Sequence, residues 1–580
     1  MNPRAAAHVL TGVDGPSSTA LVPAGADRQR VETGPSSGDT GSRRVGAAVL
    51  TVLAGLLVFL ALVLPREVGQ LSLGAFLRIP AEGLLGTAFL LVLPTRARRV
   101  VAVLAGAGLG LLTLLRIVQM GFLAVVARPF DPVFDWPQLG AGLTLLEGSI
   151  GRVGMIGAVI GVGAVAAGLV VLMAMSARRL AGLMTRRRSA STRALVVLTV
   201  AWLACFTFGA QVVPSVPVAA RSVGGFAYET AQQVPASLRD QQRFDEQSAV
   251  DAFRGVPAAD LLTALRGKDV VLTYVESYGR AALENPAYAK TIDPVLDDGT
   301  RRLAAHGFAA KSAFLNSSVM GGGSWLAHAT LLSGMRVANQ HSFDKLVASD
   351  RLTLSSAFQR AGWDTVAVMP SSTGPWPAGA FYGFDRSYDA DSLGNRSRGF
   401  TGFQTPDQYT LSAFEHAERG RTGRGPLMAE IPLVTSHWPW AKIPRLRDWN
   451  DVGDGSVFDL PGAGVSDPDQ DVERDSERMR DGYRRSIEYS LSTLISYVET
   501  YGDDNLVFVF LGDHQPAPFV AGEGAGKDVP ITIVARDHAV LDRIAGWNWQ
   551  DGLRPGPQAP VWPMESFRDR FLTAFGPSGK

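Results

Sequence analysis

Three stretches of this 580-residue chain end an apolar, β-branched run with a carboxylate or an imidazole. Asp269–Val275 (DVVLTYV) leads into Glu276, and the run ending near Val434 leads into Ser436 and His437. Leu506–Leu511 (LVFVFL) leads through Gly512 into Asp513 and His514. Such runs read as buried strands, and in open α/β sheets ligands gather beyond the carboxyl ends of strands. Two carboxylates, an imidazole and a hydroxyl form a hard, mixed oxygen and nitrogen donor set that suits Mn²⁺ or Zn²⁺. The hydroxyl comes from Met320–Gly334 (MGGGSWLAHATLLSG), where three glycines lead into Ser324 and an apolar, helical continuation follows. Glycine lets backbone approach a ligand closely, and a helix N-terminus favours an anion. A metal-bound serine loses its proton more readily and can attack phosphorus. A Gly-rich turn is often only a turn, and an Asp-His pair is often structural. Their convergence on one rim is what points to catalysis.

Positioning these groups requires an α/β domain. Further strands are expected at Thr365–Met369, Leu427–Val434 and Val529–Val534, and helices around Pro294–His306 and Leu354–Ala361. Arg478–Tyr501 carries Tyr483, Ile487, Leu491, Leu494, Ile495 and Val498 at helical spacing. The alternation predicts an α/β sandwich with a largely parallel central sheet over residues 266–577. The acidic stretch Asp448–Asp475 reads as a surface insertion, a candidate lid.

The chain before this domain has another character. Apolar residues make up 46% of the whole and charged residues 19%, greasier than an ordinary soluble protein, and the excess lies before residue 215 or so. Five segments approach the length of about 20 apolar residues that a helix needs to span a bilayer: Val45–Leu64, Ser72–Leu93, Val100–Val126, Val153–Ala177 and Ala194–Val213. The second is interrupted by Arg78, Pro80 and Glu82; on a helix, Arg78 and Glu82 would share a face. Arg116 falls inside the third span. Arginines 28, 30, 43 and 44, then 96, 98 and 99, then 178, 179, 186, 187, 188 and 193 occupy the tail and alternate connections. The positive-inside rule puts these in the cytoplasm, so five spans leave everything after Pro214 outside. The expected organisation is a disordered tail over 1–44, a transmembrane region over 45–214, a linker over 215–265 and an extracytoplasmic domain over 266–577. A net charge of +1 with no basic stripe gives no nucleic-acid signature. The single cysteine, Cys205, excludes an internal disulfide and a multi-thiolate metal site.

Around the candidate residues the chain resembles the alkaline phosphatase/sulfatase superfamily, and within it the lipoteichoic acid synthase and phosphoglycerol transferase branch. The similarity covers about residues 266–536, and five spans with an outer catalytic domain match that branch's architecture. The branch's Glu-Ser-aromatic-Gly motif, whose Glu binds metal, reads Glu276-Ser277-Tyr278-Gly279. Its paired late ligands read Asp513-His514, and its substrate histidine corresponds to His437 in Ser436-His437-Trp438-Pro439. Ser324 to Gly334 is similar to the sulfatase signature C/S-x-P-S-R-x-x-x-L-T-G, and the closing Leu332-Ser333-Gly334 sets the register on Ser324 rather than Thr330. Leu326 and His328 replace the Pro and Arg that direct formylglycine formation, which argues against sulfate-ester hydrolysis by that route. Related synthases carry Trp-x-Arg in mid-domain; here Trp376 is kept and Ala378 stands where Arg would be.

The resemblance implies one divalent metal, Mn²⁺ with Zn²⁺ or Mg²⁺ as alternatives, on Glu276, Ser324, Asp513 and His514. It implies Ser324 and His437 as catalytic residues, and His328, Trp376 and His437 as substrate contacts. The expected activity is transfer of a phosphoryl-alcohol group of the phosphoglycerol type from a membrane phospholipid to an extracytoplasmic glycan or lipid. A phosphodiesterase, phosphatase or sulfatase-like hydrolase is the first alternative, and a non-catalytic membrane scaffold the second.

Overall fold

The computed structural model describes residues 39–65, 73–126, 130–213, 216–220, 223–374, 376–400, 405–438, 440, 442–466, 476–522 and 524–577. The expected tail therefore lies largely outside the described residues, as do 467–475 of the expected lid. The chain divides into two compact units, one ending at Leu53 and one formed by Ala54–Lys580. The described part of the first lies within the helix Asp39–Val63 (α1).

Four further helices follow: Ala81–Val92 (α2), Thr95–Val126 (α3), Trp136–Arg186 (α4) and Arg188–Thr207 (α5). Among the described residues, four helices are long and apolar enough to cross a membrane, namely Arg44–Val63, Thr95–Leu123, Ile150–Arg186 and Arg188–Thr207. They leave many large apolar side chains exposed, including Leu104, Val153, Val165 and Val197. A surface of that kind suits lipid rather than water.

The expected second span is the exception. Its helix, α2, has only 12 residues, about 18 Å against a hydrocarbon core of about 30 Å. Proline disfavours helical backbone in the residue before it, and Ile79–Pro80 is extended, paired in parallel with Ala219–Ala220. Arg78 thus precedes the helix, so the expected shared face with Glu82 does not form; Glu82 Oε1 instead accepts from Gly224 N at 3.0 Å. Arg116 ends up buried, with Nη1 donating to Leu64 O at 2.7 Å and its guanidinium over the Phe226 ring. It satisfies a carbonyl just past the end of α1, where a cation is favoured.

Glycine sets the approach of α3 to α4. A Cβ on Gly106 would lie 2.7 Å from Met173 O and 2.8 Å from Ala174 Cα, and one on Gly110 would lie 3.0 Å from Val170 Cα. Small residues four apart let membrane helices approach backbone to backbone. The expected linker is largely one helix, Val223–Ser248 (α6). Its Ser237 Oγ donates to Asp131 Oδ2 at 2.6 Å, and its Phe244 is buried in the core of the following domain.

That domain is built on a nine-stranded sheet. In chain order the strands are Asp269–Val275 (β1), Ala309–Asn316 (β2), Asp364–Met369 (β3), Arg386–Asp389 (β4), Leu427–Leu433 (β5), Leu506–Gly512 (β6), Asp528–Ala535 (β7), Gln550–Asp551 (β8) and Val561–Pro563 (β9). Their spatial order is β8-β2-β7-β6-β1-β5-β3-β4, with β9 beside β2. The run from β6 to β4 is parallel, as expected, but β7 is antiparallel to both β6 and β2, and β8 is antiparallel to β2. The sheet is therefore mixed rather than largely parallel. A parallel crossover needs a dozen or more residues, usually in a helix, and among its described residues the 513–527 connection holds only the four-residue helix Pro518–Ala521.

Helices cover both faces, so every residue of β1 and β6 is buried. Val270 and Leu272 point into one core, with Leu326, Leu331 and Phe358. Val271 and Val275 point into the other, with Ile292, Ile487 and Leu491. This two-sided burial explains why the strands read as unbroken apolar runs.

Replacing Gly106 with Leu should cost about 1–3 kcal/mol by overpacking and lower the thermal midpoint of the detergent-solubilised protein. Gly108→Leu, with nothing within 4 Å of a Cβ there, should leave the midpoint unchanged. Equal midpoints for the two variants would refute close α3–α4 packing.

Candidate active site

The register of β1 and β6 determines what meets at the rim. Val275 pairs with Gly512, so the next residues of two adjacent parallel strands are Glu276 and Asp513. The chains then turn across each other with almost no room. A Cβ on Gly512 would lie 1.8 Å from Tyr278 O, and one on Gly279 would lie 2.9 Å from Gln515 Cα. Ser277 takes a left-handed backbone, φ +58°, costly for a residue with a side chain, and its N–H donates to Asp513 Oδ1 at 2.8 Å.

The serine arrives from the neighbouring loop. Gly321, Gly322 and Gly323 have φ of +76°, +151° and +85°, conformations that side chains resist. Gly321 N donates to Gln515 O at 2.8 Å, tying this loop to the end of β6. Ser324 opens the helix Ser324–Ser333, a terminus that favours an anion. Ser324 Oγ donates to Glu276 Oε2 at 2.9 Å and lies 3.3 Å from His514 Nε2. His514 Nε2 is 3.3 Å from Glu276 Oε1 and 3.4 Å from Asp513 Oδ2. Its Nδ1 faces the Gln515 carbonyl at 2.9 Å; a carbonyl only accepts, so Nδ1 carries a proton and Nε2 is the nitrogen turned to the carboxylates.

This donor set fits a divalent ion. Glu276, Asp513 and His514 form a buried group whose ligand atoms lie within 4.8 Å of one another. Asp513 Oδ2 is buried without a hydrogen-bond partner, as a coordinating oxygen would be in the bare protein. Burial drives the Asp513 carboxyl up, and the adjacent Glu276 adds to it. For Glu276 burial is outweighed by His514, which holds it well below the ordinary carboxylate range. Burial opposes charge on His514, yet Asp513 and Glu276 together raise it to about 9. Two carboxylates and an imidazole sharing protons in this way are a site awaiting positive charge.

The cluster opens into a cavity of about 920 Å³. His437, Trp376 and His328, expected to meet substrate, all line it. His437 Nδ1 is held by Trp438 O at 2.6 Å, and Trp376 stacks on Tyr382 with centroids 5.4 Å apart. His328 lies on the cavity wall beside Tyr274 and Glu430. Burial lowers it to about 3, so it is neutral; it stacks on Tyr274 with centroids 3.7 Å apart and faces Glu430 across 3.6 Å. Ala378 lies in a shallower adjoining recess shared with Trp376. Thr330 is buried within its helix, its hydroxyl bonded to Ser318 Oγ, Leu326 O and Val337 N.

The sequence reading missed Tyr274, Tyr382 and Glu430, which line the same cavity. A signal existed for one of them: Glu430 is the lone carboxylate in the apolar strand LMAEIPL. Burial alone raises its carboxyl to about 8.

The fold and rim define a membrane-anchored α/β domain with a metal-type cluster at the carboxyl ends of parallel strands. Residues 268–534 match the Sulfatase family model. A search of curated proteins finds no match. Similar solved structures include the lipoteichoic acid synthase LtaP of Listeria monocytogenes, 15% identical over 58% of this chain and 79% of that one, TM-score 0.37. The Streptococcus pyogenes phosphoglycerol transferase GacH, solved with sn-glycerol-1-phosphate, is 15% identical over 58% and 90%, TM-score 0.32. The integral membrane lipooligosaccharide phosphoethanolamine transferase A of Neisseria meningitidis is 13% identical over 91% and 95%, TM-score 0.36. The likeness to the Sulfatase family rests on the matched residues, not on these scores.

Glu276→Ala, Asp513→Ala and His514→Ala should each strip most of the divalent metal from the purified protein, measured by elemental mass spectrometry. Unchanged metal content in all three would exclude this cluster as the metal centre.

Proposed function

We propose that the chain is a metal-dependent transferase that moves a phosphoryl-alcohol group from a membrane phospholipid to a glycan or lipid outside the cytoplasm. The observation that supports this most is Ser324 Oγ, set at a helix N-terminus within hydrogen-bonding reach of Glu276 and His514. Ser324 Oγ attacks the donor phosphorus, the bond from phosphorus to the diacylglycerol oxygen breaks, and diacylglycerol leaves with a proton. His437, on the cavity wall, positions a phosphoryl oxygen or supplies that proton. An acceptor hydroxyl then attacks the serine phosphodiester, and Ser324 recovers its proton as the acceptor loses one. A divalent ion on Glu276, Ser324, Asp513 and His514, Mn²⁺ in this reading with Zn²⁺ or Mg²⁺ as alternatives, would neutralise phosphoryl charge and favour the serine alkoxide. Phosphoglycerol is the transferred group that the resemblance implies.

The extracytoplasmic placement puts a demand on the membrane region. Four crossings would return the domain to the side of the N-terminus. The arginine placement therefore requires α2, with the extended residues before it, to complete a fifth pass. A reporter enzyme that works only outside the cytoplasm should be active when fused after Lys580. Activity there of a reporter restricted to the cytoplasm would reject both the fifth pass and the outer substrate.

Ser324→Ala should abolish turnover of a fluorescent phosphodiester lipid, and Ser324→Thr should retain part of it, since both hydroxyls can form the ester. Intact-mass analysis should find a phosphodiester adduct on Ser324. Thr330→Ala should lose about 1–3 kcal/mol of stability, because it leaves buried partners unpaired, but keep turnover per folded molecule. An active Ser324→Ala protein would overturn the mechanism.

A further inference from the structure

Beside the active-site cavity lies a second recess, of about 570 Å³, with a different chemistry. Trp325, Phe343 and Trp376 line both spaces. The remaining walls of the recess are mostly apolar, formed by Val347, Ala348, Pro377 and Ala378. Its two other polar residues already satisfy each other and a neighbour. Gln340 Nε2 donates to Asp344 Oδ1 at 2.7 Å, and Gln340 Oε1 accepts from Trp325 Nε1 at 3.0 Å. Among the described lining residues there is no Lys or Arg, and no buried polar side-chain atom lacks a hydrogen-bond partner. The active-site cavity, by contrast, holds the unpartnered Asp513 Oδ2. The recess therefore offers nothing to a charged head group, whereas an apolar ligand can cover it without stranding a polar atom.

The nucleophile candidate and the membrane region both bear on its position. Trp325 follows Ser324 directly, so the recess begins one residue from the hydroxyl that the proposed mechanism uses. Another wall is the helix Gln340–Val347. Its His341 ring stacks on Phe134 of the α3–α4 connection, with centroids 4.8 Å apart. Its Lys345 Nζ lies 2.8 Å from both carboxylate oxygens of Asp245 in α6. That helix in turn holds the same connection, with Gln233 Nε2 donating to Phe130 O at 3.1 Å and Ser237 Oγ to Asp131 Oδ2. One wall of the recess is thus fixed to the segment joining α3 to α4, two helices long and apolar enough to cross a membrane. Ala378 fits the same picture. The arginine that related synthases carry there would put a charge into the recess, and alanine leaves it apolar.

We infer that this recess takes an acyl chain of the phospholipid donor while the donor phosphate lies at Ser324. This rests on the transferase reading and deepens it, giving the lipid part of the donor its own place in the fold.

The test is equilibrium binding of dibutyroyl and dihexanoyl phosphatidylglycerol, one head group with two chain lengths, to full-length Ser324→Ala protein in detergent, read by calorimetry. A buried methylene is worth about fourfold in affinity, so two more on one chain should tighten binding about tenfold or more. Partition into detergent is common to every variant, so the preference is compared between variants. Val347→Trp, which fills the recess, should erase the preference, and so should Ala378→Arg, which charges it. Should Val347→Trp fail to fold, Ala378→Arg decides. Equal affinity of the two lipids for the parent protein would overturn the acyl site, as would a preference that survives either folded variant. A dimer that Val347→Trp dissociates, with no dependence on chain length, would assign this face to a second copy of the chain instead. Adduct trapping on wild-type protein separates the two readings. A phosphodiester adduct on Ser324 without a chain-length preference keeps the transferase and rejects the acyl recess. A preference that both substitutions erase, without any adduct, supports the recess and rejects the nucleophile.

Discussion

Everything at this site depends on two carboxylates being forced together out of water. The parallel pairing of β1 with β6 leaves Glu276 and Asp513 no choice, since adjacent strands run only about 4.8 Å apart. Two desolvated like charges at that spacing would ordinarily be relieved by a guanidinium. Elsewhere the domain does this: Asp269, at the opposite end of β1, receives both Arg424 nitrogens at 2.6–2.7 Å. At the carboxyl rim the pair is met by imidazole rather than guanidinium, with His514 Nε2 3.3–3.4 Å from both carboxylates. The two ends of one strand thus differ, one acid neutralised by arginine and the others grouped where a metal could sit.

Holding that arrangement shapes the backbone around it. Gly512 and Gly279 exist where any side chain would strike the crossing strand end, and Ser277 accepts a left-handed conformation to bring its N–H to Asp513. Ser317 Oγ donates to Asp513 O at 2.7 Å, and Met320 bridges to Gln515. The glycine loop is thus anchored to the strand that carries the acids, so Ser324 is positioned by the same residues that concentrate the charge. For the proposed mechanism this is preorganisation, a hydroxyl and its electrostatic partners fixed before substrate arrives, from which catalytic sites gain most of their effect.

The site was legible because strands buried on both faces leave unbroken apolar runs, and a charge at the end of such a run stands out. DVVLTYV-Glu276 and LVFVFLG-Asp513-His514 are of this type. Strand direction was harder to read, because composition does not encode it; what reverses β7 is a connection too short in helix to cross over. Ala309–Asn316 escaped notice because Lys311 and Ser312 break its apolar run, and Lys311 pairs with Asp551 at the sheet edge. The second membrane segment forms a shorter helix than its hydropathy suggests, because hydropathy averages over Pro80, whereas backbone geometry does not. Tyr274 and Tyr382 became part of the site only through tertiary packing.

One helix links the membrane region to the chemistry. Gln340–Val347 presents His341 to Phe134, with rings stacked 4.8 Å apart, and Phe134 lies in the connection between α3 and α4. Two residues on, Phe343 lines the cavity beside Trp325 and Trp376. The cavity's other lining residues include Trp438 and Phe519, both exposed. Aromatic side chains of this kind tolerate a boundary between apolar and wet surroundings. The phospholipid donor of the proposed reaction would have both characters, a charged head for the end that holds Glu276, Asp513 and His514 and an acyl portion for the aromatic end. A cavity with acids at its floor, aromatic rings on its walls and a direct packing contact to a membrane-region loop meets both requirements at once. A domain acting on a fully water-soluble ester would have no physical need for the second.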